Sequence, residues 1–235
     1  MIKYLQLQHT FDVSKMQAEL ASLDEGCWKR HYNKAHYEGE WSVLPLRSID
    51  GSEENLISVH ASAGVHKWKD TPLLEKCPYL QSVLCFFETQ KNAVRLMKLD
   101  AGAVIKEHQD HALSFEEGEV RFHIPIITNS QVEFYLQEEQ VPMQEGECWY
   151  LNLSLPHKVK NAGATARIHL VIDCQVNDWV KTLFSKQAIS YKTIDNAKEE
   201  RQYSGGDQLK IIAQLKIMNT ATSLDLAAKM EKELK

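Results

Sequence analysis

The chain has 235 residues, 43% of them hydrophobic and 25% charged, with only 10 Gly and 6 Pro. That balance excludes whole-chain disorder, collagen-like repeats and low-complexity sequence, and the length suffices for one core with a pocket inside it. Lys and Arg number 27 against 32 Asp and Glu, a net charge of −5, which argues against nucleic acid held by bulk basic charge.

In chain order, the alternation Tyr4-Leu5-Gln6-Leu7-Gln8 predicts a short strand, and the first twenty residues do not read as a secretory leader. Asp12 or Ser14 is placed to cap a helix through Leu20 and Leu23. Residues 41–46 alternate as a strand. Between 72 and 88, Leu73, Leu74, Leu80, Val83, Leu84 and Phe87 recur at helical spacing, interrupted at Pro78. From about 90 to 176 the pattern is β-rich: 93–99, 104–107, 120–127, 132–136, 148–153, 157–160 and 167–174 read as strands, separated by turn signals such as Asp100-Ala-Gly and Glu145-Gly. Beyond Asp178, residues 179–188 and 208–234 return to helical spacing.

This layout predicts a mainly β fold with flanking helices, a double-sheet sandwich or jelly roll over 1–180 with N-terminal helices, followed by a helical extension over 181–235. The amphipathic end of that extension is suited to packing on the core or on a second subunit of a homodimer. The cysteines Cys27, Cys77, Cys85, Cys148 and Cys174 are odd in number and form no CxxC pair, the pattern of reduced thiols in a cytoplasmic protein. No apolar run approaches the roughly 20 residues that span a bilayer, so neither a membrane nor nucleic acid is the expected partner.

One segment carries chemistry. His108 and Asp110 are two apart, so on an extended chain both side chains point to the same side and can meet one metal. His157, leading a later predicted strand, is a candidate third ligand. Two imidazoles and one carboxylate on one face make the facial triad of non-haem Fe(II) oxygenases, although HxD alone also occurs as an exposed pair on a turn. Arg167 follows in the last predicted strand, where a guanidinium would bind a carboxylate in bidentate fashion. Arg121 and His123 form another same-face pair.

The order of HQD (108–110), VRFHIPI (120–126), GECWYLNLSLPHKVKN (146–161) and ARIHLVID (166–173) resembles the aspartyl/asparaginyl β-hydroxylase family, over roughly residues 80 to 180. The resemblance implies a double-stranded β-helix, cupin-like, and an Fe(II)- and 2-oxoglutarate-dependent dioxygenase that uses O2, with ascorbate as a supporting reductant. By position, His108, Asp110 and His157 match the iron ligands. Arg167 matches the arginine that holds the far carboxylate of 2-oxoglutarate, and Arg121 and His123 match a pair near the other carboxylate and the substrate. Asp110 is present where secretory-pathway members lack the acidic ligand, which resembles the bacterial proline cis-hydroxylase-like branch. The implied reaction is hydroxylation of an unactivated C–H bond in a free amino acid or small peptide, coupled to formation of succinate and CO2. Hydroxylation of an Asp, Asn or other side chain in a protein, and a non-enzymatic metal- or ligand-binding jelly roll, are the alternatives.

Other features have plainer readings beside the functional ones. His123 also suits a core position. His169 is compatible with orienting Arg167 or a cofactor oxygen, and equally with a simple core hydrogen bond. His111 falls on the strand face opposite the ligands. His9, His31, His36, His60 and His66 read as surface or rim residues. Trp149 reads as core. The acidic run Glu116-Glu117-Gly-Glu119 reads as a solvated loop or a lid, and pocket walls are expected from loops 28–40 and 111–119.

Overall fold

The computed structural model describes residues 1–56, 67–110, 113–186, 188–193 and 232. The chain divides into two compact units, Met1–Ile194 and Asp195–Lys235. The helix expected over 208–234 lies outside the described residues apart from Lys232, as do His60, His66 and His111.

The first unit begins with β1 (Ile2–Thr10) and α1 (Val13–Ser22), where Asp12 caps the helix by accepting from the Lys15 backbone N–H at 3.1 Å. Then follow β2 (Lys29–Arg30), β3 (Tyr37–Glu38), β4 (Trp41–Ile49), β5 (Trp68–Asp70), α2 (Pro72–Glu75) and α3 (Pro78–Phe86). Each of these last two helices starts with proline, tolerated where a backbone N–H has no intrahelical partner. The β-rich centre supplies β6 (Lys91–Leu99), β7 (Val104–His108), β8 (Glu119–Ile127), β9 (Val132–Leu136), β10 (Glu139–Gln140), β11 (Glu147–Leu151), β12 (His157–Asn161) and β13 (Arg167–Gln175). Last come α4 (Asp178–Lys186) and β14 (Ala188–Thr193).

The strands form two antiparallel sheets. The larger has the order β14-β1-β11-β8-β13-β6-β4-β2, with β5 paired to β4; the smaller is β10-β9-β12-β7-β3. This is the expected jelly-roll architecture, with two differences from the sequence reading. The sheet extends beyond 90–176, because β1 and β4 join it at either side. Helical spacing after 179 stops at Lys186, and residues 188–193 pair with β1 as a strand. No helix among the described residues is long and apolar enough to cross a membrane.

Period-2 alternation divides the large sheet into two faces. Leu44, Leu46, Val94, Leu96, Phe122, Ile124, Leu170 and Ile172 point to one core, which the helices cover through Met16, Leu80, Val83 and Phe184. The opposite residues meet the small sheet in a second core containing Trp41, Val43, Met97, Phe134, Trp149 and Val171. Both faces of the large sheet are therefore covered, which is why VRFHIPI lacks exposed positions apart from its flanks. At the turn into β11, Gly146 has φ +80°, and a Cβ there would stand 2.7 Å from the Phe11 carbonyl oxygen. The adjoining Glu147 accepts from the Trp149 indole N–H and the Gln144 backbone N–H, both at 2.8 Å, so the Gly-Glu-x-Trp motif holds the turn together. Trp149 is core, as its alternation implied.

Candidate active site

Between the sheets lies a cavity of about 420 Å³. The small sheet brings the expected metal ligands to its wall: β12 pairs with β7 so that His157 stands opposite His108. Asp110, just past β7, is fixed by its backbone N–H donating to the Leu153 carbonyl at 2.8 Å. One ligand atom from each of His108, Asp110 and His157 lies within 4.8 Å of the others. The rings are oriented from behind. His108 Nδ1 is 2.8 Å from the Lys106 carbonyl and His157 Nδ1 is 3.0 Å from the Leu155 carbonyl. A carbonyl only accepts, so each Nδ1 carries the proton and each Nε2 keeps its lone pair for a metal. Burial, aided by neighbouring His108, pushes His157 down to about 4, so it is neutral as a ligand must be.

The carboxylate is prepared in the same way. Asp110 Oδ2 accepts from Arg121 at 2.6 Å, while Oδ1 faces His108 Nε2 at 3.9 Å. Burial alone would raise the Asp110 carboxyl, but the Arg121 guanidinium and the two histidines outweigh it and hold it below the usual carboxylate range. Arg121 also donates from Nε and Nη2 to Asp173 at 2.5 and 3.0 Å, a pair set by the β8–β13 register that puts Asp173 opposite Arg121. Asp173 accepts in addition from Arg95 at 2.9 Å. Arg121 thus bridges Asp110 and Asp173 in the cavity wall, and its nitrogens orient the candidate ligand Asp110.

Arg167 differs. It is buried, its Nη2 lies 2.8 Å from His169 Nδ1, and its Nε has no partner. Burial alone pushes its pKa down to about 9. His169 accepts from Arg167 and so positions it. His123, buried on the same sheet face, leaves both ring nitrogens without a partner, and burial followed by the nearby Arg167 keeps it neutral. Two orphaned polar groups in one cavity, beside an oriented two-His, one-carboxylate set, fit Fe(II) and an anionic co-ligand.

The sequence profile described as aspartyl/asparaginyl beta-hydroxylase matches residues 10–176. The chain belongs to this family. Among curated proteins, the L-proline cis-4-hydroxylase of Rhizobium meliloti (strain 1021) is 28% identical over 165 residues, covering 69% of this chain and 57% of that protein. The chain thus spans little more than half the length of that relative. Among solved structures, the non-heme alpha ketoglutarate dependent carbocyclase SnoK from nogalamycin biosynthesis aligns with a TM-score of 0.51 at 10% identity, covering 74% of this chain and 79% of the other. A Pseudomonas putida prolyl-4-hydroxylase aligns with a TM-score of 0.49 at 13% identity, over 75% and 94%. The SnoK likeness establishes the fold.

Loop 28–40 of this β-hydroxylase family member supplies pocket wall as expected, but the places of individual wall residues escaped the sequence reading. His31, expected at the surface or rim, is buried and stacks on Trp41 with ring centroids 3.6 Å apart; both line the cavity, as does His36 beside His108. Arg95 and Asp173 also went unseen, although Asp173 lies six positions after Arg167 and alternation puts the two on one strand face. The acidic run, read as a solvated loop or a lid, is held in place at Glu116 and Glu117. Glu116 pairs with the start of β1, Ser114 donates to Glu117, and Phe115 stacks on Phe184, so the segment is docked on the helix-side core.

Proposed function

We propose that the protein is an Fe(II)- and 2-oxoglutarate-dependent dioxygenase that hydroxylates a free amino acid or small peptide. The observation that carries this reading is Arg167, a buried guanidinium facing no carboxylate among the described residues, in the cavity that also holds the His108–Asp110–His157 set. A buried cation without a counter-ion is costly, and a dicarboxylate co-substrate supplies one. With 2-oxoglutarate and O2 bound, an iron centre here would supply oxidative decarboxylation to succinate and CO2 coupled to hydroxylation of a C–H bond. His108, Asp110 and His157 would hold the metal, and Arg121 donates to the Asp110 carboxylate and so fixes its orientation. Arg167, positioned by His169, would bind the far carboxylate of 2-oxoglutarate, and His123 has two ring nitrogens available to the near one. The name of the 28% identical relative supports a free amino acid, with L-proline the first to test. All five cysteines are free thiols, which supports a reducing, cytoplasmic setting.

The experiment is succinate release with Fe(II), ascorbate and a panel of the common amino acids. At least one amino acid should stimulate 2-oxoglutarate turnover, and His108→Ala or His157→Ala should abolish it. Full turnover in those variants would refute the metal assignment. Stimulation by a folded protein alone, with amino acids and short peptides inactive, would transfer the reading to a protein side chain.

A further inference from the structure

The oxygenase reading leaves one group in the cavity without an assignment. Three guanidiniums line it: Arg95, Arg121 and Arg167. Arg121 is saturated by Asp110 and Asp173, and Arg167 is the seat for the co-substrate. Arg95 is 4% exposed, donates only its Nη2 to Asp173, and has an Nε with no partner. Trp41, on the neighbouring strand and in the same wall, has a buried indole Nε1–H that also lacks a partner. His31 stacks on Trp41 and is close enough to Arg95 to sense its charge. Two buried donors in the cavity wall thus have no acceptor among the described residues.

The charges point the same way. Among the described residues lining the cavity, Asp110 is the sole carboxylate, with Asp173 directly behind. Three guanidiniums face these two carboxylates. A divalent metal and a dianionic co-substrate cancel each other, so one positive charge is left for the substrate to neutralise. Burying that charge without a counter-ion would oppose binding of a neutral or cationic substrate.

We propose that Arg95, assisted by the indole N–H of Trp41, is the subsite for the α-carboxylate of the substrate, so that the enzyme takes a free amino acid and rejects the same residue inside a peptide chain. The inference rests on the oxygenase reading. It adds a specificity-determining residue and a definite ionic group on the substrate.

The test is anaerobic calorimetry on the full chain with Fe(II) and 2-oxoglutarate, titrating the common L-amino acids and their α-amides, with 2-oxoglutarate binding measured separately. At least one amino acid should bind, and its amide should bind about 30-fold more weakly or worse, the scale expected when one partner of a buried charged pair is removed. Arg95→Gln should weaken that amino acid by a similar factor of about 30 while leaving 2-oxoglutarate affinity within about threefold. Trp41→Phe, which keeps the ring against His31 but removes the N–H, should weaken it about three- to tenfold. Should Arg95→Gln fail to fold, the amide comparison and Trp41→Phe decide. An amide that binds as tightly as its acid overturns the subsite, as does normal 2-oxoglutarate binding with no amino acid bound. Loss of 2-oxoglutarate binding by the unaltered chain would instead overturn the oxygenase reading itself.

Discussion

Arg121 and Arg167 sit on one face of one sheet, on adjacent strands, and both are buried. Their surroundings are opposite. Arg121 bridges two carboxylates, and those neighbours outweigh burial to raise its pKa. Arg167 has a neutral imidazole for company, and burial lowers its pKa to about 9. A charge balanced by its own chain is part of the scaffold, and here it fixes the Asp110 carboxylate. A charge left unbalanced at the cost of desolvation is retained for something that arrives from solution. The same sheet thus carries a finished ion-pair network at one end of its inner face and an unfinished one at the other.

Removing each cation should therefore have opposite consequences. The largest effect is expected for Arg121→Gln, which leaves Asp110 unpaired and Asp173 with Arg95 alone. Breaking a buried pair costs about 3–5 kcal/mol, and urea unfolding would measure it. The pH dependence has a definite sign. Burial raises the Asp173 carboxyl, but Arg121 and Arg95 outweigh it, so its folded pKa is depressed. Its stabilisation is present above the unfolded carboxyl pKa of about 3.9 and is lost as pH falls through the folded value. Arg121→Gln should shrink that acid-labile part. Arg167→Met should do the reverse: 2-oxoglutarate affinity falls about 100-fold, while the melting temperature of the ligand-free protein holds or rises. A large drop in stability on Arg167→Met would erase the contrast between the two arginines.

The smallest expected effect concerns His31. Burial, together with Arg95, pushes it down to about 3, so it is neutral when folded and protonates near 6.5 when unfolded. The unfolded state then binds the extra proton, and stability falls with pH across that window by up to about 1.4 kcal/mol per pH unit. His31→Phe retains the stack on Trp41 and should flatten the slope between about pH 7 and about pH 5, as read by denaturant midpoints.

The elements legible in the sequence are those written locally. The strands from Lys91 to Gln175 show as alternation between turn signals, and α1 shows through Asp12 and its periodic apolar residues. His108 and Asp110 share a side because they are two apart on an extended chain. What escaped is created by pairing between distant strands. Nothing around residue 95 announces that β6 lies beside β13, so the bond from Arg95 to Asp173 has no local signature. His31 read as a rim residue because its burial comes from Trp41, ten positions later, whose ring it covers. β14 was hidden because a six-residue strand among helical spacing makes little pattern of its own.

The position of β1 has a kinetic consequence. It lies between β11 and β14, and its paired residues Tyr4 with Leu151 and Leu5 with Tyr191 are 147 and 186 positions apart. Loop-closure entropy must be overcome before either ladder rewards the chain. During synthesis at roughly 5–20 residues per second, β1 is exposed for on the order of ten seconds or more before β11 emerges to pair with it. Until then Leu5 and Leu7, buried in the finished core, stay uncovered. The sheet that carries Arg95, Arg121 and Arg167 is therefore closed at this side late, with the apolar face of β1 uncovered in the meantime.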